Sequence, residues 1–236
     1  MKHLLAVCLL LLAASPAFSQ GKPTGFHRKI YDATFALYAY NSEGGGYDCT
    51  LTAWKKVSNG YLLITAGHCT TANPQIPKNA EFFIAEEIDG KEEPLKLVHA
   101  VLNVPLDYGI FFWKTTRRIK VVPFGDERKE RIGNQTVNVN FSLGITKEVS
   151  MGVIQSQLIT TNEVSIGPFH SMKVGGMFLD SEFASHGASG SAVVSQKTHK
   201  IIGLLVSGMD GLTMPPFIEP ITLIEADLVK QDLSKY

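Results

Sequence analysis

Short runs of β-branched and aromatic residues recur along the chain. They cover residues 34–40, 61–65, 80–85, 95–102, 108–113 and 135–141, then 148–158, 171–178, 191–195 and 200–206. Polar and turn-forming clusters divide them, as in Asn41-Ser42-Glu43-Gly44-Gly45-Gly46 and Ser58-Asn59-Gly60. Many short strands with turn signals between them predict an all-β sandwich or barrel. Helical periodicity is weak until the end. There Ile221, Leu223, Ile224, Leu228 and Val229 can line one face of a C-terminal helix over about 221–233, with Pro220 just before it. Residues 117–131 are polar and charged and read as a connection between two β units. No repeat of solenoid or propeller period is visible.

The first residues break this pattern. Lys2 and His3 precede an apolar run over 4–14, and Ser15-Pro16-Ala17-Phe18-Ser19 follows. A charged start, an apolar centre and a small-residue end are the order of a secretory signal peptide, here 1–19. The run is too short to span a bilayer, which needs about 20 apolar residues. The expected location is secreted or periplasmic, with no membrane contact after signal removal. The remaining chain, 20–236, is long enough for one large domain or two small packed ones. Hydrophobic residues at 44% against charged residues at 19% are globular values and exclude a disordered chain. Lys+Arg and Asp+Glu balance at 22 each, which removes the electrostatic case for nucleic acid or an anionic membrane surface. Cys8 leaves with the signal, so only Cys49 and Cys69 remain. In an oxidising compartment they can form one bridge, the alternative being two free buried thiols. His68 stands beside Cys69, but no second ligand pair has the spacing of a zinc site.

Three stretches carry candidate chemistry. Thr65-Ala66-Gly67-His68-Cys69 follows an apolar strand. Leu106-Asp107-Tyr108-Gly109-Ile110 places an acid at the start of another. Gly187-Ala188-Ser189-Gly190-Ser191 sets a serine among glycines before a third. A serine hydroxyl is a poor nucleophile until a base takes its proton. A histidine can be that base, and a carboxylate on its other nitrogen fixes the tautomer and stabilises the imidazolium. Glycines let the backbone approach a substrate and turn amides toward a developing oxyanion. Each residue also has a plainer reading. Ser189 could be a turn serine. Asp89 and Asp126 compete with Asp107, but Asp89-Gly90 reads as a hairpin turn and Asp126 lies in the polar connection. His27, His99, His170, His186 and His199 read as surface or structural residues, His186 standing out only because it lies three residues before Ser189.

At these residues the sequence resembles the chymotrypsin-fold serine peptidases. Residues 65–69 look like the family's histidine motif, and Cys49 in Asp48-Cys49-Thr50-Leu51-Thr52 sits where its partner cysteine would. Gly187-Ala188-Ser189-Gly190-Ser191 is closer to the glutamyl-endopeptidase and bacterial trypsin-like branches than to digestive trypsins. The likeness runs from about Thr34 to Glu225. It implies two packed six-stranded antiparallel β-barrels, about 30–120 and 130–220, with the site in the cleft between them. It implies a secreted serine endopeptidase acting on polypeptides as a monomer, without metal or organic cofactor. Ser189 would be the nucleophile, His68 the base, Asp107 its orienting acid, and the amides of Gly187 and Ser189 the oxyanion hole. The specificity pocket would involve Phe183, His186, Val206, Ser207 and Gly208. Phe183 stands where trypsins carry an acid, which implies a shallow pocket for uncharged side chains. Ala188 stands where digestive members carry the acid that pairs with a freed N-terminus, so no such activation is expected. Two rivals remain: an inactive peptidase-like binding module, and an α/β-hydrolase esterase. The esterase requires the order Ser, Asp, His and alternating helices and strands, and neither is present.

Overall fold

The computed structural model describes residues 23–40, 46–87, 90–103, 106–144, 146–156, 159–166, 169–181, 187–207 and 217–236. The proposed signal peptide, Asp89, Phe183, His186 and Gly208 lie outside these residues.

Six strands close the first barrel: β1 (Thr34–Tyr40), β2 (Gly46–Val57), β3 (Gly60–Thr65), β4 (Glu81–Ala85), β5 (Glu93–Asn103) and β6 (Leu106–Lys114). Their order around the wall is β1-β2-β3-β6-β5-β4. The buried start of β1, from Thr34 through Leu37, and the apolar run of β3 supply its core. Every residue of β3 is buried, so neither face of that strand meets water. Trp113 packs edge-on to Phe35, with ring centroids 5.3 Å apart, and Phe82 lies against Phe111 at 5.0 Å. Aromatic pairs at these separations add stabilisation beyond the area that they bury.

The second unit comprises β7 (Gln135–Asn140), β8 (Glu148–Ile154), β9 (Ile159–Ile166), β10 (Phe169–Ser181), β11 (Ala192–Ser195), β12 (Ile201–Ser207) and β13 (Phe217–Pro220). Its order is β13-β12-β11-β7-β8-β10-β9. β13 also pairs with β10, Met177 opposite Ile218, so six of these strands form a ring and β9 extends from β10. The all-β, two-barrel expectation with a C-terminal helix therefore holds.

Among the described residues, two helices flank the barrels. α1 (Gly25–Ala33) precedes β1 and buries Ile30 and Ala33. α2 (Ile221–Leu228) follows β13 and buries Ile221, Ile224 and Leu228. Buried Glu127 caps α2 by accepting from the amide and the hydroxyl of Thr222. Acceptors at this end satisfy the orphan N–H groups of a first turn. Val229 is 82% exposed and so does not join the apolar face assigned to it. The helix ends at Leu228, and the following amides turn into shorter bonds, Lys230 to Asp227 O and Gln231 to Leu228 O.

One continuous core joins the barrels. It runs from Phe35, Leu51, Ile64 and Phe111 of barrel one to Val137, Ala192, Leu204 and Val206 of barrel two and on to Ile224 of α2. Burial of this apolar seam, at roughly 25 cal/mol per Å², opposes relative motion of the two walls that flank the cleft.

Candidate active site

β3 delivers His68. After Thr65 the chain turns through Ala66 into a 3-10 turn over Gly67–Cys69. β3 pairs antiparallel with β6, Thr65 opposite Gly109, and this register brings the turn to the start of β6. Asp107 waits there, 3% exposed. The His68 amide donates to Asp107 Oδ1 at 2.8 Å, and His68 Nδ1 lies 2.7 Å from Asp107 Oδ2. One carboxylate thus holds both the backbone and the ring of one histidine. A proton on Nδ1 satisfies this contact and leaves Nε2 as the ring's acceptor. Asn73, itself buried, donates from Nδ2 to His68 O at 2.9 Å and fixes the turn from the other side.

The His68 pKa reflects two opposed effects. Burial favours the neutral ring, and the charge of Asp107 together with its hydrogen bond favours the imidazolium. The second pair wins, so the pKa lies above the ordinary 6.5.

The serine turn lies against the segment that carries His68, with Cys69 Sγ 4.0 Å from Ser189 O. Gly187 and Gly190 have φ of +87° and +82°, which side chains rarely adopt. Between them the Ser191 amide donates to Ala188 O at 3.1 Å. The turn is pinned to barrel one by β2, since the Thr50 amide donates to Ser189 O at 2.9 Å and Thr50 Oγ1 donates to Gly187 O at 2.7 Å. Phe141 N donates to Thr50 Oγ1 at 3.2 Å, which binds β7's end into the same knot. Gly190 then lies against Thr65 and Ala66, the residues that lead into His68. Of the two serines in this stretch, Ser191 is fully buried and its Oγ lies 2.8 Å from Asn138 Nδ2. Ser189 is only half-buried. Among the described residues, the amides of Gly187 and Ser189 meet no acceptor.

Cys49 and Cys69 are joined, with Cα atoms 6.2 Å apart. Their sulfurs lie near His68, but sulfurs bonded to each other are not the thiolates that a metal site needs. The bridge clips β2 to the His68 turn. Replacing both cysteines with serine should destabilise the protein by about 3 kcal/mol, the chain-entropy cost of a loop near this length. Urea unfolding of the double variant checks this, and an unchanged midpoint would show that the bridge adds nothing.

The other candidates fall outside this constellation. Asp126 is tied to its neighbour Arg128, Nε to Oδ1 at 2.7 Å, and that hydrogen bond lowers its pKa. His199 stacks on Phe26 at 3.9 Å, and His99 Nε2 lies 3.7 Å from Asp227. Val206 is buried in the shared core, and Ser207 ends β12 opposite Phe217.

Residues 52–204 match the sequence profile of the trypsin-like peptidase domain. The chain belongs to the trypsin-like peptidases. The match spans β3, the Asp107 strand and the serine turn of this trypsin-like domain. Its fold is similar to solved HtrA-type structures. The HtrA-type protease AlgW with a tripeptide superposes with a TM-score of 0.65 at 17% identity, over 87% of this chain and 62% of that one. Deg5 gives 0.63 at 16% identity, over 85% of this chain and 89% of that one. A serine endoprotease from Yersinia pestis gives 0.61 at 16%, over 88% and 66%. The trypsin-like domain thus spans less than two thirds of AlgW. No curated protein matches the sequence.

Two residues of the site escaped the sequence reading. Thr50 and Glu219 are both buried, and each bonds to a residue far away in sequence. Buried threonines at alternate positions 50 and 52 were the available signal for the first. Nothing local marks the second.

Proposed function

We propose that the protein is a secreted or periplasmic serine endopeptidase that cleaves polypeptides through an acyl-enzyme. The observation that carries this reading is the two-point grip of Asp107 on His68 beside the serine turn. Ser189 Oγ attacks the scissile carbonyl as His68 Nε2 takes its proton. His68 then gives the proton to the leaving amine, and water repeats the sequence on the ester. Asp107 holds the tautomer and stabilises the imidazolium. The amides of Gly187 and Ser189, which meet no acceptor among the described residues, support an oxyanion hole, each donor worth about 3 kcal/mol in the transition state. The absence of a charge at Ala188, which is buried, supports activity without a freed N-terminus. The disulfide supports an extracytoplasmic location.

Profiling the mature protein against a peptide library tests this. The expected profile shows cleavage after small or medium uncharged residues, because Phe183 stands in the sequence where trypsins carry an acid. An unpaired Lys or Arg there would be costly to desolvate. A profile dominated by Arg and Lys contradicts the pocket, one dominated by Glu assigns the role to His186, and no cleavage at all contradicts the peptidase reading.

The His68 pKa sets the acid side of the pH profile. The base must be neutral to accept the Ser189 proton, and its pKa is raised above 6.5. Activity should therefore fall as pH drops through a midpoint above 6.5, by about tenfold per pH unit below it. Initial rates at low substrate across pH 5–9 give kcat/KM. A midpoint below the ordinary histidine value is the contrary result.

A further inference from the structure

Glu219 sits on β13 directly beneath the acid of the triad. It is fully buried. Its Oε2 accepts from the Asp107 amide at 2.6 Å, crossing from barrel two to barrel one. Its Oε1 is buried with no partner among the described residues. No cation faces it among those residues. On β6 it faces Asp107 and Tyr108, and the Tyr108 hydroxyl donates to Asp227 of α2 at 2.7 Å. His68 lies beyond Asp107.

We propose that Glu219 is a positioning residue of the triad, holding the Asp107 amide as a protonated, uncharged acid so that Asp107 stays turned to His68. This rests on the triad reading above. A carboxylate at this site would pay for complete burial and for repulsion by the Asp107 carboxylate. Burial first, and the Asp107 charge second, push the Glu219 pKa well above 4.5, against the weaker opposing effect of the Asp107 amide. As the neutral acid, Glu219 keeps one oxygen as acceptor for the amide and adds no second negative charge behind His68. The Asp107 amide opens β6, so its anchor fixes where the carboxylate stands. A displacement of about 1 Å in such a group can cost about 100-fold in rate.

The protonation state is read without any activity. A group whose folded pKa is raised stabilises the protein fully below its unfolded pKa, and that contribution is lost as pH rises toward the folded pKa. In a Ser189→Ala background, the folding equilibrium constant with Glu219 should fall relative to Glu219→Gln by about tenfold per pH unit above pH 4.5. The fall should stop where folded Glu219 ionises. A ratio constant between pH 5 and 7 would show an ionised Glu219 and overturn the protonated acid. Positioning is read from His68 by NMR titration. In Glu219→Ala the His68 pKa should drop back toward 6.5, and in Glu219→Gln it should stay raised. An unchanged His68 titration in Glu219→Ala overturns the positioning role. In turnover, Glu219→Gln should keep kcat within about threefold, and Glu219→Ala should lose about tenfold or more in kcat with KM little changed. Equal loss in both variants contradicts a neutral acceptor. A wild-type protein that cleaves nothing sinks the peptidase reading alone, because the unfolding and NMR results still decide Glu219.

Discussion

Ser189→Ala and His68→Ala are each expected to lower kcat by about 10³- to 10⁶-fold with the fold intact. Members of a triad act as a unit, so losing either one removes nearly all that the triad supplies. The fold should survive because backbone groups carry most of the bonds these residues make, and His68→Ala gives up only the ring contact to Asp107 Oδ2. Ser189 holds β2 through its carbonyl oxygen, and His68 holds Asp107 through its amide and Asn73 through its carbonyl. Alanine keeps all three. Steady-state kinetics with thermal unfolding separates the two effects. Wild-type turnover in purified Ser189→Ala would remove Ser189 as nucleophile, and a large loss of melting temperature would make the kinetic loss uninformative about chemistry.

Gly190→Ala should damage both the stability and the activity of the site. A Cβ at this position would lie 2.0 Å from Thr65 Oγ1, 2.6 Å from Ala66 N and 2.7 Å from Thr50 O. Two of these atoms are backbone and cannot move without moving β2 or the approach to His68. The φ of +82° adds backbone strain of about 1 kcal/mol or more for a residue with a side chain. With overpacking of about 1–3 kcal/mol, the total loss should be about 3 kcal/mol. Activity should fall about 100-fold as well, because relief of the clash pushes the serine turn away from His68. Urea unfolding and kcat/KM measured together check this. A variant within about 1 kcal/mol of wild type, with full activity, would show that the turn is not wedged against Thr65.

Local signals made much of this molecule legible in its sequence. Apolar β-branched runs bounded by turn residues marked β1, β3, β6, β7 and β12 closely, since strands buried on both faces need such runs. His68, Asp107 and Ser189 stand out because each lies at or within three residues of the end of an apolar strand. β2 was missed. Its polar Asp48, Lys55 and Lys56 hide a strand whose Thr50 and Thr52 are buried but hydrogen-bonded across the cleft. α1 is hidden because Phe26, Ile30 and Ala33 are too few to signal a helix within nine residues. β13 is only four residues long. Glu219 shows most plainly why the rest was hidden. Its meaning lies entirely in Asp107, 112 residues away, and no periodicity or motif records a contact of that kind.

The most direct measurement of the proposed nucleophile is covalent labelling with a peptidyl phosphonate that reacts only with an activated serine. The mature protein should gain one adduct, peptide mapping should place it on Ser189, and cleavage should cease in proportion to labelling. His68→Ala should label far more slowly, since its serine has lost the base. An unlabelled protein, or an adduct on another residue with cleavage unaffected, would contradict an activated Ser189.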